Sequence, residues 1–243
     1  MPRRGRPSSR SSDRVHSSIS LAKSIDHSLL GPNMTDRELE EGSLLGLRYD
    51  VASVCILPYF VKRLSELLRG STVRTSTTIG FPHGGQATRA KLVEAETAID
   101  DGAEELDVVV NISKVVSDDF GYVAGELGAI TRLVHDRGFI IKVIFETAYL
   151  DDSRKKALCS IVGDVGADYA KTSTGFGPSG ATLADIELLR AHCPETVAIK
   201  ASGGIRDLDT VLALRARGAA RIGTSRTREI LDAFADRGAA TRT

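Results

Sequence analysis

The stretch GADYAKTSTGFG, residues 166–177, begins as a short strand and ends as a polar loop interrupted by glycine. Lys171 stands at the point where the predicted strand gives way to the loop. In a parallel α/β barrel, the carboxyl ends of the strands surround the pocket in which the chemistry takes place. A single lysine at a strand end is usually only solvated, but similar strand ends recur along this chain at a regular interval. We therefore predict a barrel in which Lys171 faces the pocket.

Short apolar strands alternate with helices along the chain. We predict eight strands, at residues 20–30, 51–56, 73–79, 105–110, 139–145, 168–171, 196–200 and 220–223. The first helix opens with a capping box formed by Thr35 and Glu38. Eight strand-then-helix units in 243 residues are typical of a (β/α)8 TIM barrel, which takes about 250 residues. A doubly wound open sheet is the alternative, but no GxGxxG opens a helix after the first strand.

The pattern predicts a single barrel domain over residues 18–236, because no linker interrupts it. Residues 1–17 carry five arginines among prolines and serines, so we expect a disordered basic tail there. Residues 237–243 are expected to form a C-terminal tail. No apolar segment follows the arginine pair at positions 3 and 4, which argues against an export signal.

Composition disfavours several classes of function. The formal net charge is zero, so nothing indicates a nucleic acid or an anionic membrane as partner. No apolar run approaches the roughly 20 residues of a transmembrane helix. Cys55, Cys159 and Cys193 are widely spaced and lack a CxxC or a nearby histidine pair, which argues against a disulfide framework and a structural zinc site. We expect a cytoplasmic protein with reduced thiols and no bound metal.

Four charged residues lie on four consecutive predicted strands. Asp107, Lys142, Lys171 and Lys200 are 35, 29 and 29 residues apart. Because one βα unit takes about 30 residues, we predict that these charges lie at similar heights on neighbouring strands, about 5 Å apart. Lys142 interrupts an apolar strand, where an unpaired charge is costly, and Asp107 is its expected partner. Strand alternation places Glu146 on the same face as Lys142.

An excess of lysine over aspartate favours a reactive amine over an ion-pair network that merely fills the barrel. An ordinary lysine, with a pKa of about 10.4, is almost wholly protonated at pH 7. Desolvation and a nearby like charge can lower that pKa by several units. The neutral amine then attacks an aldehyde to form a Schiff base, and loss of a proton from the adjacent carbon gives an enamine. The charged strands therefore predict aldolase chemistry.

The loops after the last two strands predict a phosphate site. Residues 202–206 read SGGIR and residues 223–225 read GTS. In many barrels these loops, with a helix N-terminus, bind phosphate through backbone N–H groups. The alternative is that their glycines only turn tight corners. The candidate phosphate ligands are Gly175, Gly203, Gly204, Arg206, Gly223 and Ser225.

Six ordered motifs resemble the deoxyribose-phosphate aldolase family, from about residue 25 to residue 234. They are IDHSLL at 25–30, IGFPHG at 79–84, GAEELD at 102–107, KVIFET at 142–147, GADYAKTSTGF at 166–176 and KASGGIR at 200–206. The resemblance implies a metal-independent class I aldolase of deoxyribose phosphate catabolism, without a cofactor, whose partners are a small-molecule sugar phosphate and acetaldehyde. The implied reaction is reversible cleavage of 2-deoxy-D-ribose 5-phosphate to D-glyceraldehyde 3-phosphate and acetaldehyde. We also expect a homo-oligomer, specifically a dimer.

The resemblance also implies roles for individual residues. Lys171 corresponds to the Schiff-base lysine, Lys200 to the second lysine that lowers its pKa, and Asp107 to the residue that transfers protons through water. Lys142 would support Asp107 or a substrate hydroxyl. The remaining substrate-binding candidates are Asp26, Cys55 and Thr172.

Two positions depart from the family pattern. Phe176 stands where some members carry lysine, and Arg226 follows Ser225 where a second serine is common. Both departures concern the phosphate end of the pocket. Two other functions remain open: a Schiff-base barrel acting on another sugar phosphate, and a sugar-phosphate binder without turnover. Retention of Asp107 together with both lysines speaks against the binder.

Overall fold

The computed structural model describes residues 21–240 and consists of a closed barrel of eight parallel strands, in the order β1 to β8. The strands are β1 Ile25–Leu29, β2 Ser53–Ile56, β3 Arg74–Ile79, β4 Glu105–Val109, β5 Ile140–Ile144, β6 Tyr169–Lys171, β7 Ala198–Ser202 and β8 Ala219–Thr224. The predicted (β/α)8 barrel is confirmed. The predicted basic tail at residues 1–17 lies outside the described residues, and the domain limits stay a prediction.

Nine α-helices of the described chain surround the barrel, in addition to two short 3₁₀ helices at Pro58–Phe60 and Thr147–Tyr149. The α-helices are α1 Asp36–Arg48, α2 Val61–Leu67, α3 Thr88–Asp100, α4 Ile112–Val116, α5 Phe120–Asp136, α6 Asp152–Asp164, α7 Leu183–His192, α8 Leu208–Ala216 and α9 Thr227–Ala240. The predicted capping box opens α1, where Thr35 and Glu38 bond reciprocally. The last helix continues past residue 236 to Ala240. Among residues 21–240, no helix is both long and apolar enough to cross a bilayer.

The strands are buried on both faces because helices cover the outside and side chains fill the inside. All residues of β2 and β4 are buried, including the polar ones. Outward-facing aliphatic side chains such as Val54, Leu106 and Val143 belong to the apolar core between strands and helices. Inward-facing positions are polar or charged in several strands, and these positions form the site described below.

Strand register decides which inward-facing charges are neighbours. Asp107 is paired with Lys142, and Lys171 with Lys200, as expected for charges at similar heights. Lys142, however, is paired with Tyr169, which places Lys171 two residues further toward the carboxyl end. The prediction of one common height is therefore wrong between β5 and β6, because the lengths of the βα units differ. The four charges occupy two levels of the barrel.

Candidate active site

The four charges predicted from the strand interval meet around Asp107. Its Oδ2 lies 2.6 Å from Nζ of Lys171 and 2.6 Å from Nζ of Lys200, while Oδ1 accepts from Nζ of Lys142 at 2.8 Å. All four residues are at least 97% buried. Residues that are far apart in the sequence are thus brought to a single carboxylate by the closure of the barrel.

Three further charged residues extend this group. Asp26 contacts Nζ of Lys200 through Oδ2 at 2.5 Å and Nη1 of Arg221 through Oδ1 at 2.6 Å. Glu105 lies 2.7 Å from Nζ of Lys142 and 3.3 Å from Arg221. We call these seven residues the barrel cluster: Asp26, Glu105, Asp107, Lys142, Lys171, Lys200 and Arg221. No described His, Cys, Asp and Glu side chains are grouped in a way that suits a metal ion.

Glu105 and Arg221 were missed by the sequence analysis, although each carries a signal. Glu105 precedes Asp107 by two residues and therefore shares its face of the strand. Arg221 interrupts the apolar strand β8 just as Lys142 interrupts β5. It lies only 21 residues after Lys200, with a register irregularity at Lys200, so a search for charges at 30-residue intervals passes over it.

The ionised barrel cluster would hold three carboxylates and four cations, an excess of one positive charge instead of the two expected from the sequence. Burial lowers the pKa of Lys171, Asp107 opposes this, and the charge on Lys200 lowers the pKa further. Burial also lowers the pKa of Lys200, but Asp107 and Asp26 outweigh it and leave that pKa raised. For Lys142, three carboxylates likewise outweigh burial. Lys171 is thus the cluster lysine that loses its proton most readily.

A cavity of about 540 Å³ opens above the barrel cluster, at the carboxyl ends of the strands. Lys171 is the cluster residue that lines it. The other lining residues include every predicted phosphate ligand: Gly175, Gly203, Gly204, Arg206, Gly223 and Ser225. The structure therefore places the low-pKa amine and the glycine-rich loops in one cavity.

The remaining substrate-binding candidates do not line this cavity. Asp26 and Lys142 lie beneath it and are fully buried within the cluster. Thr172 is also buried, and its Oγ1 donates to the carbonyl of Ser202 and accepts from the same residue's N–H, which ties the end of β6 to β7. Cys55 is 1% exposed, and burial raises the pKa of its thiol. Contact of these four residues with a substrate stays a prediction.

The glycines of the cavity permit an unusually close approach of two loops. Gly175, Gly203 and Gly204 have φ values of 88°, 90° and 75°, which L-residues rarely adopt. A Cβ added to Gly203 would stand 2.9 Å from Cα of Gly180. The main chain at these positions is therefore exposed to the cavity without side chains in between.

The two positions that depart from the family pattern differ in their location. Phe176 lines the cavity and packs edge-to-face on Phe81, with 5.4 Å between ring centroids. Arg226 is not a lining residue, and its guanidinium pairs with Glu229 on the first turn of α9 at 2.9 Å. The cavity wall is thus apolar at Phe176, and Arg226 adds no contact to the cavity.

Glu146 does not join the barrel cluster, contrary to the prediction from strand alternation. It follows β5 with a φ of 54°, and this left-handed backbone turns the side chain away from Lys142. Its carboxylate accepts hydrogen bonds from the backbone N–H and the hydroxyl of Thr174. Burial raises the pKa of Glu146.

His27, in the middle of β1, lines the cavity and was not identified as a site residue beyond its place in a motif. Its Nδ1 lies 2.8 Å from Oγ1 of Thr227, the first residue of α9. Burial lowers the pKa of His27 to about 4, so the imidazole is neutral near pH 7. The contact attaches the start of α9, which directly follows the loop after β8, to β1.

Known proteins are similar to nearly the whole described chain. A family model described as DeoC/LacD family aldolase matches residues 21–233. Deoxyribose-phosphate aldolase of Rhodopirellula baltica is 54% identical over 211 residues, covering 87% of this chain and 88% of the relative. The same-named protein of Caldanaerobacter subterraneus subsp. tengcongensis is 42% identical over 226 residues, covering 93% and 98%. The tetrameric deoxyribose phosphate aldolase from Aeropyrum pernix superposes with a TM-score of 0.84 at 32% identity, covering 94% of this chain and 99% of that structure.

Proposed function

The chain belongs to the DeoC/LacD family of aldolases, and from this premise we propose that it cleaves 2-deoxy-D-ribose 5-phosphate reversibly to D-glyceraldehyde 3-phosphate and acetaldehyde. The proposed intermediate is a Schiff base on Lys171. One observation carries the proposal. Within the barrel cluster, Lys171 is the lysine that both has a lowered pKa and lines the cavity. A pocket of about 540 Å³ is in the size range of small-molecule sites.

The first step is attack by the neutral Lys171 amine on C1 of the open-chain aldehyde. The carbonyl oxygen leaves as water, and the nitrogen keeps C1 as an iminium ion. The C3 hydroxyl then loses its proton, the C2–C3 bond breaks, and its electron pair moves toward the iminium. D-glyceraldehyde 3-phosphate leaves, and an enamine of two carbons stays on Lys171. Protonation at C2 and hydrolysis release acetaldehyde and return the amine.

Asp107 is proposed to relay protons between Lys171 and water in the cavity. Burial raises the pKa of Asp107, but Lys142, Lys171 and Lys200 outweigh it and hold the pKa well below the usual range. A carboxylate with such a low pKa does not retain a proton that it accepts. This property suits a group that passes protons between Lys171 and water. Lys200 shares Oδ2 of Asp107 with Lys171, so the charge that favours the neutral amine lies within the same relay.

The phosphate is proposed to bind at the other side of the cavity, against the loops after β6, β7 and β8. Gly203 and Gly204 present main chain without side chains, and Arg206 adds a cation. Backbone N–H groups at loops of this kind bind phosphate oxygens in many barrels. The substrate would then extend from these loops to Lys171.

Reduction with borohydride in the presence of acetaldehyde tests the intermediate. We expect one ethyl group on Lys171, located by mass spectrometry of peptides, and no such group in Lys171→Leu. Addition to a different lysine, or no addition, would contradict the Schiff base. A coupled assay for glyceraldehyde 3-phosphate release then separates the proposed substrate from another phosphorylated sugar.

We also propose that the chain forms a homo-oligomer. The Aeropyrum pernix relative is described as tetrameric, whereas the sequence analysis expected a dimer. Exposed apolar side chains such as Tyr59, at 65%, and Leu44, at 46%, offer surface for such contacts. Light scattering of the full chain distinguishes the dimer, the tetramer and a monomer, which would contradict the proposal.

A further inference from the structure

Glu146 has a conformation that is uncommon for its residue type. Its φ of 54° lies in the left-handed region, which is sterically unfavourable for a non-glycine residue. The residue is 1% exposed, although no described lysine, arginine or histidine nitrogen forms an ion pair with it. A buried carboxylate on a strained backbone persists only where the surrounding contacts require it. The contacts of Glu146 therefore indicate what the strain maintains.

The described hydrogen bonds to the Glu146 carboxylate all come from one residue of the loop after β6. The N–H of Thr174 lies 3.3 Å from each carboxylate oxygen, and the Thr174 hydroxyl donates to Oε2. The same hydroxyl oxygen accepts from the N–H of Phe176 at 3.0 Å. Because the hydroxyl proton points at the carboxylate, the lone pairs of Oγ1 are directed toward Phe176. Glu146 thus orients the Thr174 hydroxyl, which in turn holds the N–H of Phe176.

The loop wraps closely around the carboxylate. A Cβ added to Gly177 would stand 3.1 Å from the carboxyl carbon of Glu146. Hydrogen bonds with β7 hold the segment between β6 and α7 at Thr172, Ser173 and Ala181, on either side of residues 174–177. The hydrogen bonds described for residues 174–177 themselves are those with the Glu146 carboxylate and the one from Phe176 to Thr174, and Phe176 also packs edge-to-face on Phe81. We call residues 174–177 the β6 loop.

The β6 loop borders the phosphate side of the cavity. Thr174, Gly175 and Phe176 line the cavity. A Cβ at Gly175 would stand 3.7 Å from Cα of Gly203, so these two glycines face each other. A shift of the β6 loop would therefore move one wall of the phosphate site while leaving Lys171, which lies at the end of β6, in place.

We propose that Glu146 is a positioning residue that holds the β6 loop so that Gly175 closes the phosphate site against Gly203. Glu146 then sets the preference for a phosphorylated substrate over its dephosphorylated form, and it takes no part in the chemistry at Lys171. This inference rests on the proposed function. It differs from a purely structural role, in which loss of Glu146 would lower stability without changing substrate preference.

Asp185 provides a matched control for a structural role. It is a buried carboxylate at the same end of the barrel, and it accepts from the hydroxyls of Thr147 and Thr182 at 3.2 and 2.8 Å. It pairs with Lys155 and is not in the cavity lining. Asp185→Asn therefore removes a comparable buried negative charge without changing a described contact of the β6 loop.

The test compares Glu146→Gln, Thr174→Val, Thr174→Ser and Asp185→Asn with the wild type. For each protein, kcat/KM is measured with 2-deoxyribose 5-phosphate and with 2-deoxyribose, and acetaldehyde is trapped on Lys171 with borohydride. We expect the ratio of the two kcat/KM values to fall about tenfold in Glu146→Gln and Thr174→Val, as for loss of one charge-assisted hydrogen bond. The rise in KM for the phosphorylated substrate should account for the fall. Thr174→Ser and Asp185→Asn should keep the wild-type ratio.

Hydrogen exchange gives a readout that does not depend on turnover. The N–H of Phe176 should exchange faster in Glu146→Gln than in the wild type. In Asp185→Asn it should exchange at the wild-type rate. An unchanged ratio in folded Glu146→Gln, or equal losses on both substrates together with reduced trapping, would overturn the inference. If Glu146→Gln did not fold, the contrast between the two Thr174 variants would decide. Absence of trapping in the wild type would instead refute the proposed function.

Discussion

Lys171 and Lys200 are register partners on β6 and β7, and both ammonium nitrogens lie 2.6 Å from Oδ2 of Asp107. Their pKa values nevertheless shift in opposite directions, downward for Lys171 and upward for Lys200. The difference is that Lys200 has a second carboxylate, Asp26, at 2.5 Å. Among the described residues, Asp107 is the one carboxylate paired with Lys171. The second carboxylate thus decides which of the two adjacent lysines has the lowered pKa.

Lys200→Leu should move the pH dependence of Schiff-base formation to higher pH. The neutral amine is the reactive form, so trapping increases as the pH rises through the pKa of Lys171. Removing the charge on Lys200 raises that pKa, and trapping at pH 7 should fall about tenfold, as for a change of one pH unit. Borohydride trapping from pH 6 to 10 measures the shift. A midpoint equal to that of the wild type would contradict the effect of Lys200 on Lys171.

Asp107→Asn should produce the opposite shift. The Asp107 carboxylate raises the pKa of Lys171, so its loss should move the midpoint for trapping to lower pH. Turnover should nevertheless fall by about 10²-fold or more, because the proton relay is lost. The two measurements separate the roles: trapping reports the amine, and the coupled assay reports proton transfer. Equal losses in both would argue against a relay.

Lys142→Leu should destabilise the protein far more than Lys171→Leu. Lys142 contacts Glu105, Asp107 and Asp26 at 2.7, 2.8 and 3.5 Å, so its removal leaves buried carboxylates poorly compensated. The cost should be about 3–5 kcal/mol in the free energy of unfolding. Loss of Lys171 leaves Asp107 with two lysines, and the fold should remain stable while trapping disappears. Urea unfolding of both variants provides the comparison.

Gly204→Ala should weaken the binding of phosphorylated substrate. Its φ is 75°, and an added Cβ would meet no atom within 4 Å, so the methyl group would occupy the proposed phosphate site. Gly70→Ala is the matched control, because Gly70 has a φ of 79°, equally open surroundings and an exposed position away from the cavity. Both variants should lose about 1–2 kcal/mol of stability through backbone strain. KM for the phosphorylated substrate should rise about tenfold in Gly204→Ala and stay unchanged in Gly70→Ala. A similar rise in both variants would contradict a phosphate site at these loops.

His27→Gln should reduce the loss of folding stability that occurs as the pH falls below about 6.5. Burial holds the pKa of His27 at about 4 in the folded protein, compared with 6.5 in the unfolded chain. Between these values the unfolded state binds the additional proton, so stability is lost as the pH falls from about 6.5 to 4, by about 3 kcal/mol in total. Urea unfolding from pH 7.5 to 4.5, in buffers without phosphate, measures the slope. Parallel curves for the variant and the wild type would show that His27 does not cause the loss.

The barrel and the main members of its cluster followed from the sequence alone. Short apolar strands at intervals of about 30 residues require parallel pairing with helices outside, and a charge inside such a strand has to face another charge. This reasoning identified Asp107, Lys142, Lys171 and Lys200, which the structure brings together. It missed Arg221 because the βα unit between β7 and β8 is short, and it placed Lys142 and Lys171 at one height because helix and loop lengths were not known.

The tertiary structure decided two properties that the spacing of residues in the sequence does not predict: the pKa values of the buried lysines and the direction of the Glu146 side chain. The pKa of a buried lysine depends on how many carboxylates lie within about 3 Å, and for Lys200 one of these comes from β1, far away in the chain. Backbone geometry was equally decisive at Glu146, where a positive φ redirects a side chain that strand alternation placed elsewhere. Local patterns in the sequence determine which residues face the barrel interior. Closure of the barrel determines which charges touch, and Coulomb energies at contact distance then leave Lys171 as the cluster lysine with the lowered pKa.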